Sequence, residues 1–180
     1  MKKIFLMAAL IFSMISCTAF AATQEVKPNI GVLVIGSAEF KTPDYYKMIK
    51  SSVLSKSGLI ADVGDDFQKK YQQFMVERYD IGKHTPTKSD LVNFTANSAY
   101  RKLLVIVVDE NIDTQNNGNS RQKNRVAIQL DVYLCNRSEI LDIANASRED
   151  DSKASIMRAR KGAFQKSINA ALKSLNFNKD

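Results

Sequence analysis

Apolar residues fall along this chain in three patterns, and each predicts a different kind of element. Ile30 to Gly36 (IGVLVIG) and Leu103 to Val108 (LLVIVV) are short apolar runs rich in β-branched residues. Runs of that length read as strands covered on both faces, which makes the pair the candidate centre of a sheet. Arg125 to Asn136 alternates instead. Val126, Ile128, Leu130, Val132 and Leu134 share one face, and Ala127, Gln129, Asp131, Tyr133 and Cys135 share the other. Such a strand has one wet face, with antiparallel pairing as its natural companion. Leu59 to Val63 is a shorter strand candidate, and Ser138 to Ala144 reads as the partner of the alternating strand.

The third pattern is helical spacing. Thr42 and Pro43 open a helix, since threonine suits the cap and proline the first turn. Tyr46, Ile49 and Val53 fall on one of its faces, and Gly58 ends it. Asp65 is placed to cap a second helix, with Gln68 at the matching capping position and an inner stripe of Phe67, Tyr71, Phe74, Met75 and Arg78. Thr87 and Asp90 make the same pattern for a third, which carries Leu91, Phe94 and Ala99. Ile156, Ala159, Ala163, Phe164, Ile168, Ala171, Leu172 and Leu175 trace a long closing helix. Lys153, Arg158, Lys161, Lys166 and Lys173 lie mostly on its wet side. The polar stretches Asp109 to Asn124, with its turn-forming Asn117-Gly118, and Arg148 to Ser152 read as loops. The order β-α-β-α-α-β-β-β-α predicts a single α/β domain of the α+β-like kind. Its mixed sheet would hold about five strands, with a C-terminal antiparallel meander and helices packed on it.

The N-terminus adds a compartment. Lys2 and Lys3 precede the apolar run Ile4 to Ile15, and Ala19-Phe20-Ala21 follows as an A-x-A cleavage site. Residues 1–21 therefore read as a secretory signal peptide, 22–29 as a polar leader with Pro28, and 30–180 as the domain. The apolar run is shorter than the about 20 residues that a spanning helix needs, and no later one serves either. The protein is expected to be exported, periplasmic or extracellular. Met14-Ile15-Ser16-Cys17 resembles a lipobox and offers lipid anchoring through Cys17 as the alternative. After processing Cys135 is the one cysteine left, so no intramolecular disulfide can form and stability rests on the core. The chain has 26 Lys and Arg against 19 Asp and Glu; losing Lys2 and Lys3 with the signal leaves a net charge of +5. That mild excess favours anionic envelope surfaces as partners, beside other envelope proteins.

Taken together, these elements resemble the CsgG-like and TolB N-terminal-like modules of bacterial cell-envelope proteins. The similarity is carried by the apolar first strand, Lys56-Ser57-Gly58 with its short following strand, LLVIVV, RVAIQLDVYLCN running into SEILDIAN, and the Ala-rich last helix. It spans residues 29–175. Asn136-Arg137-Ser138-Glu139 stands where that group has a Thr-Gly-Glu turn, and Gly36-Ser37-Ala38-Glu39-Phe40 replaces its proline-phenylalanine pattern. The resemblance implies a binding or assembly module and brings no catalytic residue.

Candidate chemistry is sparse. His84 is the one histidine, in the turn-like Gly82-Lys83-His84-Thr85-Pro86, and no G-x-S-x-G elbow accompanies it. No G-x-G-x-x-G or P-loop motif follows a strand, so no nucleotide cofactor or metal is expected. Ligands of open α/β sheets gather where central strands end, which singles out Glu39 after the first strand and Asp109, Glu110 and Asp113 after the second. Basic clusters at Arg121, Lys123 and Arg125 and at Arg158, Arg160 and Lys161 lack interleaved aromatics, so nucleic acid is not expected. The leading expectation is a non-enzymatic envelope module that binds through an exposed apolar patch or edge strand near the 109–124 hairpin. The alternative is a small exported hydrolase or cation-binding protein, with an acidic site at Glu39, Asp109 and Glu110 and with His84 nearby.

Overall fold

The two apolar runs lie side by side, as the sequence pattern predicts, and they run parallel. β1 (Ile30–Ile35) pairs with β3 (Leu103–Gln115) from Gly31 opposite Leu103 to Ile35 opposite Val107. The computed structural model describes residues 29–79, 86–115 and 123–179. The remaining elements are α1 (Pro43–Ser57), β2 (Ala61–Asp62), α2 (Asp65–Tyr79), α3 (Lys88–Asn97), β4 (Lys123–Cys135), β5 (Ile140–Ser152) and α4 (Ile156–Ser174). A short 3-10 turn, Ala38–Phe40, joins β1 to α1. The strands form one mixed sheet in the order β2-β1-β3-β4-β5, parallel on the β2 side and antiparallel from β3 onward. It is a single α+β domain with helices on both faces of a five-stranded sheet.

Alternation along the strands divides the core in two. Val32, Val34, Leu104, Ile106 and the face of β4 from Val126 to Leu134 pack under α1 and α4, against Ile49, Val53, Phe164, Ile168 and Leu172. Leu33, Leu103, Val105 and Cys135 point the other way, onto Phe67 of α2 and Leu91 and Phe94 of α3. Each fully buried aliphatic or phenyl side chain contributes about 1.5–3 kcal/mol, so the larger cluster dominates stability. The α2–α3 layer covers β1 and the start of β3. Beyond it the second face is open, with Asp109, Asn111, Gln129, Asn145 and Ser147 exposed. Gly36 closes β1 at φ +150, where an added Cβ would stand 2.9 Å from the Val108 carbonyl oxygen. Only glycine lets the strand end that close to its neighbour.

Local signals hold in part. Gly58 ends α1 in the left-handed region, and Thr87 and Asp90 complete a reciprocal capping box. Thr42 holds the cap position of α1 without a side-chain bond. Asp65 does not cap α2: Gln68 N donates to Gly64 O, and the Asp65 carboxylate accepts from Tyr46 Oη at 3.1 Å. Gln68 turns inward instead, and its amide, suitably oriented, bonds Val34 O and N at 3.0 and 3.1 Å. That side chain completes β1 where the two-residue β2 falls short. Two expected loops are strand. β3 continues to Gln115 and β5 to Ser152, in register with β4 throughout apart from an irregularity at Leu134/Cys135. Their polar residues are held by cross-strand partners and by α4, where Lys166 Nζ meets Asp150 Oδ1 at 2.8 Å. The signal, residues 22–28 of the leader, Cys17, His84 and Asn117-Gly118 lie outside the described residues.

Candidate functional site

The chain leaves β1 along one face through α1 and reaches β3 from the other through α2 and α3. β1 and β3 are therefore where the winding reverses, and the crevice at their ends is where such sheets place ligands. The sequence supplies it from three elements: Glu39 on the 3-10 turn, Glu110 on the α4 side of β3, and Arg160 on the first turns of α4. Arg160 Nε donates to Glu110 Oε1, and both side chains are only 14 % exposed. Its Nη2 lies 3.9 Å from Glu39 Oε2, which also accepts from Ser37 Oγ at 3.1 Å. At the rim Lys161 Nζ meets Asp44 Oδ2 at 2.5 Å.

Beneath these charges lies Tyr45, 4 % exposed, its ring edge-on to Phe164 and Phe40 at 4.9 and 5.2 Å. Its Oη is buried and has no hydrogen-bond partner. Burial pushes the phenol up to about 12; the Arg160 charge pulls it down, and Glu110, Glu39 and Asp44 add to the rise. The bond and charge of Lys161 hold the Asp44 carboxyl below its usual range. The Glu110 hydrogen bond raises Arg160 above its own already high value, against the effect of burial. Each shift fixes the resting charge more firmly at neutral pH. Proton transfer asks for the opposite. Glu39, Asp44, Tyr45, Arg160 and Lys161, with Thr42, Pro43 and Met157, line an open pocket of about 430 Å³.

The structure thus brings together two of the residues singled out by sequence, Glu39 and Glu110. Asp109 points to the opposite, open face, and His84 lies outside the described residues. Among the described residues no cluster of three His, Cys, Asp or Glu side chains is placed to hold a metal ion. Cys135 is wholly buried and burial pushes its thiol up to about 12, which removes it as a nucleophile. Arg160 is the residue the sequence analysis missed, having noted it only as a member of a basic cluster. It follows Ala159 and stands four before Phe164, at the border of the apolar stripe, so a helical wheel leaves it either wet or inward. Tyr45 could have been found beside Tyr46 by the same spacing.

A second surface belongs to the meander. Among the described residues β5 borders the sheet and pairs with β4 alone. Next to it, the open face carries Asp109, Asp113, Asp131, Glu149 and Asp151 together with Arg125, whose Nε and Nη2 donate to the two carboxylate oxygens of Glu149. Ile143, 46 % exposed, sits on the same face of the border strand.

No protein-family model matches this chain, and no curated protein does. The resemblance to CsgG-like and TolB N-terminal-like modules therefore has no family match behind it. Solved structures similar to it include lipoprotein GNA1162 from Neisseria meningitidis, at 13 % identity, 72 % of this chain, 87 % of that one and a TM-score of 0.43. A minor lipoprotein from Acinetobacter baumannii gives 8 %, 80 %, 85 % and 0.37. A hypothetical protein from Chlamydia trachomatis gives 7 %, 83 %, 100 % and 0.40. Likenesses of this size bear on neither activity nor ligand. No described helix is long and apolar enough to cross a membrane.

Proposed function

We propose that this is an exported bacterial cell-envelope protein that works by contact and not by catalysis, and that its signal is removed at Ala21–Ala22. The observation that carries the reading is the border strand β5, 13 residues long and, among the described residues, paired on one side only. Such a strand offers a row of backbone donors and acceptors to an extended partner segment, while alternate side chains of the open face set specificity. The carboxylates of that face favour a basic segment from another envelope protein. The shifts at Asp44, Tyr45 and Arg160, all away from proton exchange near neutral pH, support a binding role over an acid–base one.

The test compares the exported chain with an Ile143→Lys, Asn145→Lys variant, since lysines on an edge oppose strand pairing. Both are used to capture partners from envelope extracts, and circular dichroism confirms the fold of the variant. The reading expects a partner retained by the native chain and lost by the variant. Equal capture by both refutes strand addition. Hydrolysis of an envelope substrate by the purified chain, abolished in Asp109→Ala, refutes the non-enzymatic reading.

A further inference from the structure

One end of the domain carries more cations than carboxylates. Arg101 and Lys102 precede β3 and Arg137 follows β4; with Asn136 and Ser138 they line an open groove of about 400 Å³. No acid is among its lining residues. Arg137 Nη2 reaches the Ser98 carbonyl at 3.4 Å, and no described residue pairs with the Arg101 guanidinium. Lys102 Nζ instead straps the end of the chain, donating to the Phe177 and Lys179 carbonyls at 3.0 and 2.6 Å. Lys56 and Lys173 stand exposed in the last turns of α1 and α4, without an ion-pair partner among the described residues. Both helices finish at this end. α1 leads to Ile60, whose carbonyl accepts from Asn29 N at 2.9 Å, and α4 leads to the strap at Phe177. The carboxylates nearby are mostly committed. Asp142 is held by Lys179 Nζ and the Asn176 amide, Asp62 accepts from Tyr100 Oη, and Glu139 is exposed in the turn after β4. The domain also begins here: Gly31 N donates to Lys102 O at 3.2 Å, so β1 starts beside the groove.

We propose that this basic end docks on the phosphates of an anionic phospholipid surface. Arg101 and Arg137 meet phosphate oxygens at the groove, since the guanidinium fork suits them, and Lys56 and Lys173 add charge from the two helix ends. The groove is open and flanked by further cations, which fits a surface of repeated phosphates better than a single enclosed anion. Clusters of lysine and arginine bind such surfaces by summed attraction, each residue adding a modest share. The place where the chain enters points the same way. Only 13 residues, 16–28, separate Asn29 from the apolar run Ile4 to Ile15, a reach of at most about 45 Å. A signal inserted in the bilayer therefore tethers this end of the domain to it. The inference rests on the proposed export. No groove residue belongs to β5, so docking and strand addition can each fail alone.

Co-sedimentation of the exported chain with lipid vesicles in about 50 mM salt tests it. Binding is expected to phosphatidylcholine vesicles containing about 30 % phosphatidylglycerol and not to phosphatidylcholine alone, and it should fade in about 0.5 M salt. Arg101→Gln with Arg137→Gln is expected to weaken binding about thirtyfold, and Lys56→Gln with Lys173→Gln about tenfold or more. Lys153→Gln with Arg158→Gln removes the same charge beside the start of α4, at its other end, and is expected to change binding less than about threefold. Circular dichroism confirms the fold of each variant. No binding to the anionic vesicles overturns the proposal. So does equal weakening by all three variants, which assigns the attraction to net charge, or unchanged binding in the first two. Loss of vesicle binding to about 10 mM inorganic phosphate at matched ionic strength assigns the groove to a free anion and overturns it as well. Export is read separately, from the N-terminus of the secreted chain, so a failure of one is told from a failure of the other.

Discussion

Arg160→Met removes the one cation that Glu110 touches among the described residues and leaves a largely buried carboxylate without it. Exposed ion pairs contribute about 0–1 kcal/mol, whereas breaking a fully buried one costs about 3–5 kcal/mol. With both side chains 14 % exposed and the bond charge-assisted, the expected loss lies between those limits, at about 2 kcal/mol. Methionine keeps most of the arginine stem, so packing against the pocket wall changes little and the loss reports the charge. In urea, with a slope of about 2 kcal/mol/M for a domain of this size, the midpoint should fall by about 1 M. Replacing both partners, Arg160→Met with Glu110→Met, should recover most of the difference, since two apolar groups leave no buried charge unpaired. A single variant with an unchanged midpoint refutes the reasoning. A double variant no better than the single does so equally.

Val105→Asp should cost several kcal/mol, since it buries an unpaired charge in the wholly enclosed β1–β3 layer; an unchanged melting temperature would contradict that packing. Asp90 predicts an acid dependence. Burial raises its carboxyl, but hydrogen bonds from Tyr79 Oη and from the Thr87 hydroxyl and amide, with Arg78 beside it, outweigh that and set it below the usual 3.8. A carboxyl lowered by folding stabilises fully above its unfolded value and loses that contribution as pH falls through the folded one. Asp90→Asn should therefore cost about 2 kcal/mol at neutral pH and progressively less below about pH 4, followed by chemical denaturation. Cys135 should resist thiol reagents in the native protein and react only at the rate of unfolding; prompt labelling would show that its face of the sheet opens.

Legibility in the sequence tracks how local the physics is. The buried runs of β1 and β3, the stripe of α4 and the Thr87–Asp90 box depend on neighbours within a few residues, and each stands where the pattern puts it. The outer halves of β3 and β5 do not. Asp109, Asn111, Asp113 and residues 148–152 are polar because one face of these strands is open and the other meets charges from α4, as Glu110 meets Arg160 and Asp150 meets Lys166. Those partners are distant in the chain, so the segments imitate loops. The site follows the same rule. Strand-end reasoning singled out Glu39 and Glu110, which the fold places near each other around Arg160, but in the sequence Arg160 stands only in a basic cluster and Lys161 on a wet helix face. Tyr45 looks like core until its hydroxyl is seen to lack a partner.

The proposal that contact through β5 is this protein's work is tested most directly by amide hydrogen exchange on the exported chain with its captured envelope partner. Strand addition predicts new protection confined to residues 140–152 of the border strand, with α1, α2 and α3 unchanged. Protection on the helical faces, with β5 exchanging as it does in the free protein, would contradict it.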